Sequence, residues 1–260
     1  MRKYWRVFVI TLKQYFVYRL SFVLWRFRMF INLFIVFFLW NAVFLKNQHI
    51  SYYNRTALLS YILFVNIISA LVLGTRTSDV ATQINDGTIM NYLVKPIKLF
   101  RHLATEDIAD KFLNLGFVIF EVILILRFTG SAIFFPRNIL LGSIFLLNGI
   151  CISFFINLML SFIAFWTTET SGPRFLYLML VGFVAGSFFP LDLLPKPIYQ
   201  MLLFSPFPYL FYLPAKIFLG VSGKQLIPYY FISLSWVLIF WRLTSLMWVK
   251  GNKSFSFWGR

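Results

Sequence analysis

Stretches long and apolar enough to cross a lipid bilayer recur six times in this chain, and they restrict it to one class of fold. They lie at about 27–46, 56–74, 112–128, 138–166, 174–189 and 229–249. The first, FRMFINLFIVFFLWNAVFLK, reaches about 30 Å as a helix, the thickness of the hydrocarbon layer. Backbone amides in lipid must be bonded within their own segment, which favours helices. Composition agrees. Hydrophobic residues make up 60% of the 260 and charged residues 12%, against about a quarter charged in soluble domains. A soluble core could not hide that much apolar surface. The expected fold is all-α: a polytopic membrane protein with six transmembrane helices in one domain, 1–260.

Charge gives the orientation. The net charge is +16. The basic residues flank apolar runs, a placement that suits lipid headgroups and topology signals rather than nucleic acid. With six spans, both termini share a side. The N-terminal segment, 75–111, the 167–174 turn and the tail together hold 16 Lys and Arg, and the opposite loops hold seven. The positive-inside rule therefore expects cytoplasmic termini. Residues 1–25 form a basic, aromatic-rich amphipathic stretch, expected to lie as an interface helix. The start lacks a small-residue cleavage site, so no leader is expected to be removed.

The longest polar interruption, TRTSDVATQINDGTIMNYLVKPIKLFRHLATEDIADK at 75–111, then faces the cytoplasm. It holds five of the chain's eight acidic residues: Asp79, Asp86, Glu106, Asp107 and Asp110. Val80, Ile84, Gly87, Met90 and Val94 recur at helical spacing, with Asp79, Gln83 and Asp86 on a more polar neighbouring strip. Gly87 predicts a kink or a close approach, and Lys95-Pro96 ends the helix. A second polar helix is expected from Glu106 to Asn114, running into the third span. An apolar edge on a water-side loop suits insertion into a partner's groove; the alternative is a solvated connector. Seven of the ten prolines fall in 186–228. They forbid one long helix there, and the interleaved aromatics forbid a free loop. Re-entrant or interfacial helices at 190–228, an outer-leaflet hairpin, satisfy both.

No sequence pattern supplies chemistry. GVSGKQ at 220–225 lacks the glycine spacing and the Ser/Thr of a phosphate loop. His49 and His102 are too few and too far apart for a metal site. Cys151 sits in an apolar run as a packing residue. Gly182 and Gly186 form a small-xxx-small pair that permits close helix approach. Asn54-Arg55-Thr56 matches a glycosylation sequon by chance. Glu121 lies in mid-span, where a carboxylate is costly. Arg127, six residues on, is not on its face. Three roles stay open for Glu121: a substrate contact, a proton relay, or the partner of a cation or backbone group on another helix.

Several strings in fixed order resemble the permease subunits of type-2 ABC exporters. They are TRTSDVATQINDGTIMNYLVKPI at 75–97, the run of His102, Glu106, Asp107 and Lys111, PLDLLP at 190–195, and SPFPYLFYLPAKIFLG at 205–220. The likeness covers essentially the whole chain and is nearest to bacterial permeases of about 260 residues described as uncharacterised. It implies a transport subunit that is not itself an enzyme and has no cofactor, ATP being bound by a cytoplasmic ATPase partner. It implies a second permease, identical or related, to complete the path. It maps ATPase coupling onto Thr77–Leu93, with Asp79, Val80, Gln83, Ile84, Asp86, Gly87 and Met90 in that element. An ion- or proton-coupled carrier or channel, and a membrane-embedded lipid-modifying enzyme, are the readings from other classes.

Overall fold

The computed structural model describes residues 2–17, 19–46, 49–50, 52–94, 98–129 and 134–254. The long helices are α1 (Arg2–Val17), α2 (Arg19–Lys46), α3 (Arg55–Val72), α6 (Leu99–Thr129), α7 (Ile139–Phe162), α8 (Ser171–Val184) and α11 (Leu226–Ser254). Between them lie four short ones: α4 (Asp79–Asn85), α5 (Met90–Val94), α9 (Lys196–Leu203) and α10 (Tyr212–Phe218). Apart from helices there is one two-residue antiparallel ladder, His49–Ile50 against Tyr53–Asn54.

Among the described residues four helices are long and apolar enough to cross a membrane, over Phe22–Phe44, Arg55–Val72, Ile139–Phe165 and Leu226–Lys253. A fifth is possible if Lys196–Leu203 and Phe207–Phe218, bent by 77°, count as one broken span. These match the first, second, fourth and sixth expected spans. The third expected span is the apolar second half of α6, whose first half is polar. The fifth is α8, whose 14 residues reach only about 21 Å. The interface stretch also differs from expectation. α1 stops at Val17, and α2 begins at Arg19, well before the expected span start at 27.

The proline-rich segment is broken as expected, but its second arm is core. Tyr209, Leu210, Phe211 and Ala215 are fully buried beside Tyr61 and Leu58. Prolines stand at the first turn of α9 and of the 3-10 turn Phe207–Tyr209, where a missing N–H costs nothing. Gly149 of α7 makes this packing possible. A Cβ there would lie 2.6 Å from the Tyr209 carbonyl oxygen. Gly149→Ala is expected to cost about 1–3 kcal/mol by overpacking, read as a lower unfolding midpoint in detergent. Gly116→Ala, which meets nothing within 4 Å, is expected to be neutral or slightly stabilising.

Two smaller expectations change. Gly182 and Gly186 do not join two helices. The open side of Gly182 faces the Phe188 ring, and Gly186 lies beyond α8 at φ +84°. The Tyr61 hydroxyl donates to its carbonyl at 2.7 Å. Cys151 is exposed on α7 rather than packed inside.

Candidate functional site

The polar segment after α3 folds back onto the bundle instead of standing free. Thr75, in extended backbone, caps a 3-10 turn at Arg76–Ser78, accepting from the Thr77 N–H at 3.3 Å. α4 follows, with Asp79 in its first turn, where a carboxylate favours the exposed N–H groups. The single expected helix is interrupted. Gly87 takes φ +74°, a left-handed conformation natural to glycine. The Ile89 N–H donates to the Gln83 carbonyl at 2.9 Å and closes the end of α4. α5 restarts at Met90. No atom lies within 4 Å of where a Gly87 Cβ would be, so backbone conformation, not close approach, calls for glycine here. The helix ends at Val94; Lys95-Pro96 falls outside the described residues.

The apolar edge of this segment is covered by its own chain. Val80, Ala81, Ile84 and Ile89 are buried against Leu99 and Leu103 of α6, Phe154, Leu158 and Phe162 of α7, and Phe165. The expected free apolar edge is therefore a foundation, and Val80 and Ile84 position the segment. What faces outward is polar: Asp79, Thr82, Asn85, Asp86, Thr88 and Asn91 are exposed. Gln83, Gly87 and Met90 are half-buried. Hydrogen bonds tie the segment down. Ser161 donates to the Thr77 carbonyl at 2.7 Å, Arg174 donates to Ser161 Oγ at 2.9 Å, and Asn85 donates to the Thr168 carbonyl at 3.1 Å.

α1 lies beside it. Arg76 donates to Gln14 Oε1 at 2.6 Å, sits over the Tyr15 ring and approaches Asp79 at 3.7 Å. Gln14, Tyr15, Gly74, Arg76, Asp79 and Asp110 line a cleft of about 360 Å³. Tyr15 donates to Asp110. Burial, reinforced by the Asp110 charge, pushes the Tyr15 phenol far up, so it remains a donor.

From this cleft a polar ladder climbs α6. Asp107, Asp110, Lys111, Asn114 and Glu121 are all buried, and their spacing of three, four and seven residues puts them on one face. Lys111 pairs with Asp107 at 2.8 Å and donates to the Gly74 carbonyl at 2.8 Å. Asn114 donates to Asp110 Oδ2 at 2.9 Å and accepts from Arg26 at 3.3 Å. Arg26 meets Glu121 at 2.7 Å. The partner of the mid-span carboxylate is thus a cation on α2, and Tyr15, Asp110, Asn114, Arg26 and Glu121 form one connected chain across α1, α6 and α2. Sequence reasoning singled out Glu121 as the intramembrane candidate and placed Asp107, Asp110, Lys111 and Asn114 only in the expected polar helix from Glu106 to Asn114. The even spacing along α6 was the available signal; nothing local announced Arg26.

The remaining sequence candidates lie apart from this site. Gly220 and Gly223 of the GVSGKQ string take φ +115° and +114° in the turn before α11, at the end of the bundle opposite α4. Among the described residues no group of three or more His, Cys, Asp or Glu is placed to hold a metal ion.

A model of the family described as ABC-2 family transporter protein matches residues 30–259. The chain belongs to the ABC-2 transporter family. No curated protein matches it. The ABC-2 match covers the polar segment after α3, all of α6 and the proline-rich hairpin, and begins inside α2. α1 and Arg26 lie before it. An ABC-2 permease is the integral membrane component of an ABC transporter and works with an ABC ATPase component; it is not the ATPase itself.

Proposed function

We propose that this ABC-2 permease is the membrane-spanning half of an ATP-driven exporter of the bacterial cytoplasmic membrane. Both termini and residues 75–111 are cytoplasmic. It pairs with a second permease, identical or related, and each half engages one cytoplasmic ATPase that binds the ATP. The four helices that cross by length and composition, the apolar half of α6 and the short α8 make six crossings, with α9 and α10 as the re-entrant hairpin. Asp79, Gln83, Asp86, Gly87 and Met90 belong to the coupling surface, and Val80 and Ile84 hold it in place.

One observation carries this reading. Residues 76–92 pack on α6, bond to α7 through Ser161 and to α1 through Arg76 on one side, and present an acidic, polar strip on the other. A solvated connector has no reason to be anchored in this way. An element that must transmit a push does, because force on the strip passes directly into α7 and, through Arg76 and Tyr15, into α1 and α6. Closure of the two ATPases on ATP would then tilt these helices and alternate access to the path between the permeases. The test is co-purification with the ATPase. Asp79→Lys combined with Asp86→Lys should lose at least about 90% of the retained ATPase, since like-charge juxtaposition costs several kcal/mol. Its stability should fall by no more than about 1 kcal/mol, the cost of reversing the charge at the first turn of α4. Wild-type retention by that variant would refute the assignment of the strip.

A further inference from the structure

A second cleft, of about 330 Å³, opens between α1 and the coupling segment. Gln14, Gln83, Asn91, Tyr92, His102 and Glu106 line it. Its chemistry is one-sided. His102 Nε2 lies 3.4 Å from Glu106 Oε1; a neutral ring that donates there from Nε2 keeps Nδ1 as an acceptor. His102 Nδ1 and Gln83 Oε1 are both buried with no hydrogen-bond partner among the described residues. Buried acceptors without donors are costly and normally find a partner. Glu106 adds a carboxylate, four-fifths buried. Two lone acceptors and a carboxylate around one cleft are complementary to a cation that carries several N–H groups.

We propose that this cleft receives an arginine side chain from the ATPase subunit; the inference rests on the coupling role assigned above. Guanidinium offers five donors in a planar fork and matches several acceptors at once, where ammonium is a compact point charge. The charge pattern agrees. This chain is strongly cationic, yet Glu106 lines this cleft, and Asp79 and Asp86 are exposed at the two ends of α4, the helix that carries Gln83. A cytoplasmic segment with an arginine would be drawn to this part of the surface and repelled by the rest. The Tyr92 ring lies against His102, centroids 4.9 Å apart and tilted by 54°. Both orphan acceptors are closed off from water, so Tyr92 is the side chain that swings aside to admit the guanidinium.

The experiment uses the full permease co-expressed with its ATPase. Gln83→Arg puts a guanidinium of the chain's own into the cleft and should lower retained ATPase by about thirtyfold or more. Gln83→Glu should retain more ATPase than wild type, a gain that misfolding cannot imitate. A photo-crosslinking residue at Asn91, exposed on the rim, should capture an arginine-bearing ATPase segment. Undiminished ATPase retention by Gln83→Arg, or capture of a segment without arginine, would overturn the inference and leave the coupling role standing. Binding of spermidine to the permease alone, blocked by Gln83→Arg while ATPase retention persists, would overturn it in favour of a free polyamine. If the wild-type permease retains no ATPase, the coupling role falls and this inference falls with it.

Discussion

Arg26→Ala and Glu121→Ala should each lower the detergent unfolding midpoint steeply, and replacing both residues together with Met and Leu should recover most of the loss. The two side chains meet at 2.7 Å and are each more than nine-tenths buried. Their surroundings are Phe22, Phe27, Phe30, Phe117 and Phe120, so the effective dielectric is low and each charge depends on the other. Removing one member of such a pair costs about 3–5 kcal/mol, because the remaining charge stays where water cannot reach it. Removing both and refilling the volume with apolar groups is often neutral or stabilising. Glu121→Gln should fall between, since it keeps an acceptor and loses the charge. The measurement is the unfolding midpoint of each variant and of the double replacement, read as a double-mutant cycle. Single variants within about 0.5 kcal/mol of wild type would mean that the pair is not closed in the protein as it stands. The transport assay then separates the roles proposed for Glu121. If the Met/Leu double variant is stable and still transports, the carboxylate serves architecture. If it is stable and inert, the carboxylate also serves the path.

The sequence made the class of fold legible because bilayer thickness and the cost of unbonded amides act on every apolar stretch alike. The run 56–74 is α3 and 138–166 is α7 with its 3-10 extension, and neither needs tertiary information to be found. The coupling segment was legible as an element and wrong in its facing. Val80, Ile84 and Met90 fall at helical spacing, but spacing says only that they share a face, not what covers it. The cover comes from Phe154, Phe162 and Phe165, more than sixty residues further on. Gly87 was suspected from its propensity, while its left-handed turn depends on the backbone closing back to Gln83. Arg26 was beyond reach for another reason. A lone arginine near the start of an apolar run reads as a snorkelling flank residue, and only the packing of α2 against α6 turns it inward.

Val80→Asp should undock the coupling segment while leaving the transmembrane bundle folded. Val80 is fully buried among Leu158, Phe162 and Leu103. An ionised carboxylate there without a partner costs several kcal/mol or more. α4 has seven residues and α5 has five, too few to be stable as isolated helices. The cheapest response is therefore local: the stretch between α3 and α6 lets go of its apolar foundation, and α7 keeps its packing against α11 and the hairpin. Limited trypsin digestion reads this directly, since Arg76, half-buried and held by Gln14 and Tyr15, becomes cleavable when the segment releases. ATPase retention should fall in parallel, because the acidic strip loses the frame that orients it. Asp79→Lys with Asp86→Lys predicts the opposite combination, lost ATPase with Arg76 still protected and new cuts only at the two introduced lysines. The two patterns together distinguish the residues that hold the coupling surface from those that meet the partner. Val80→Asp that resists trypsin and retains the ATPase would show that the apolar face of α4 is not what anchors it.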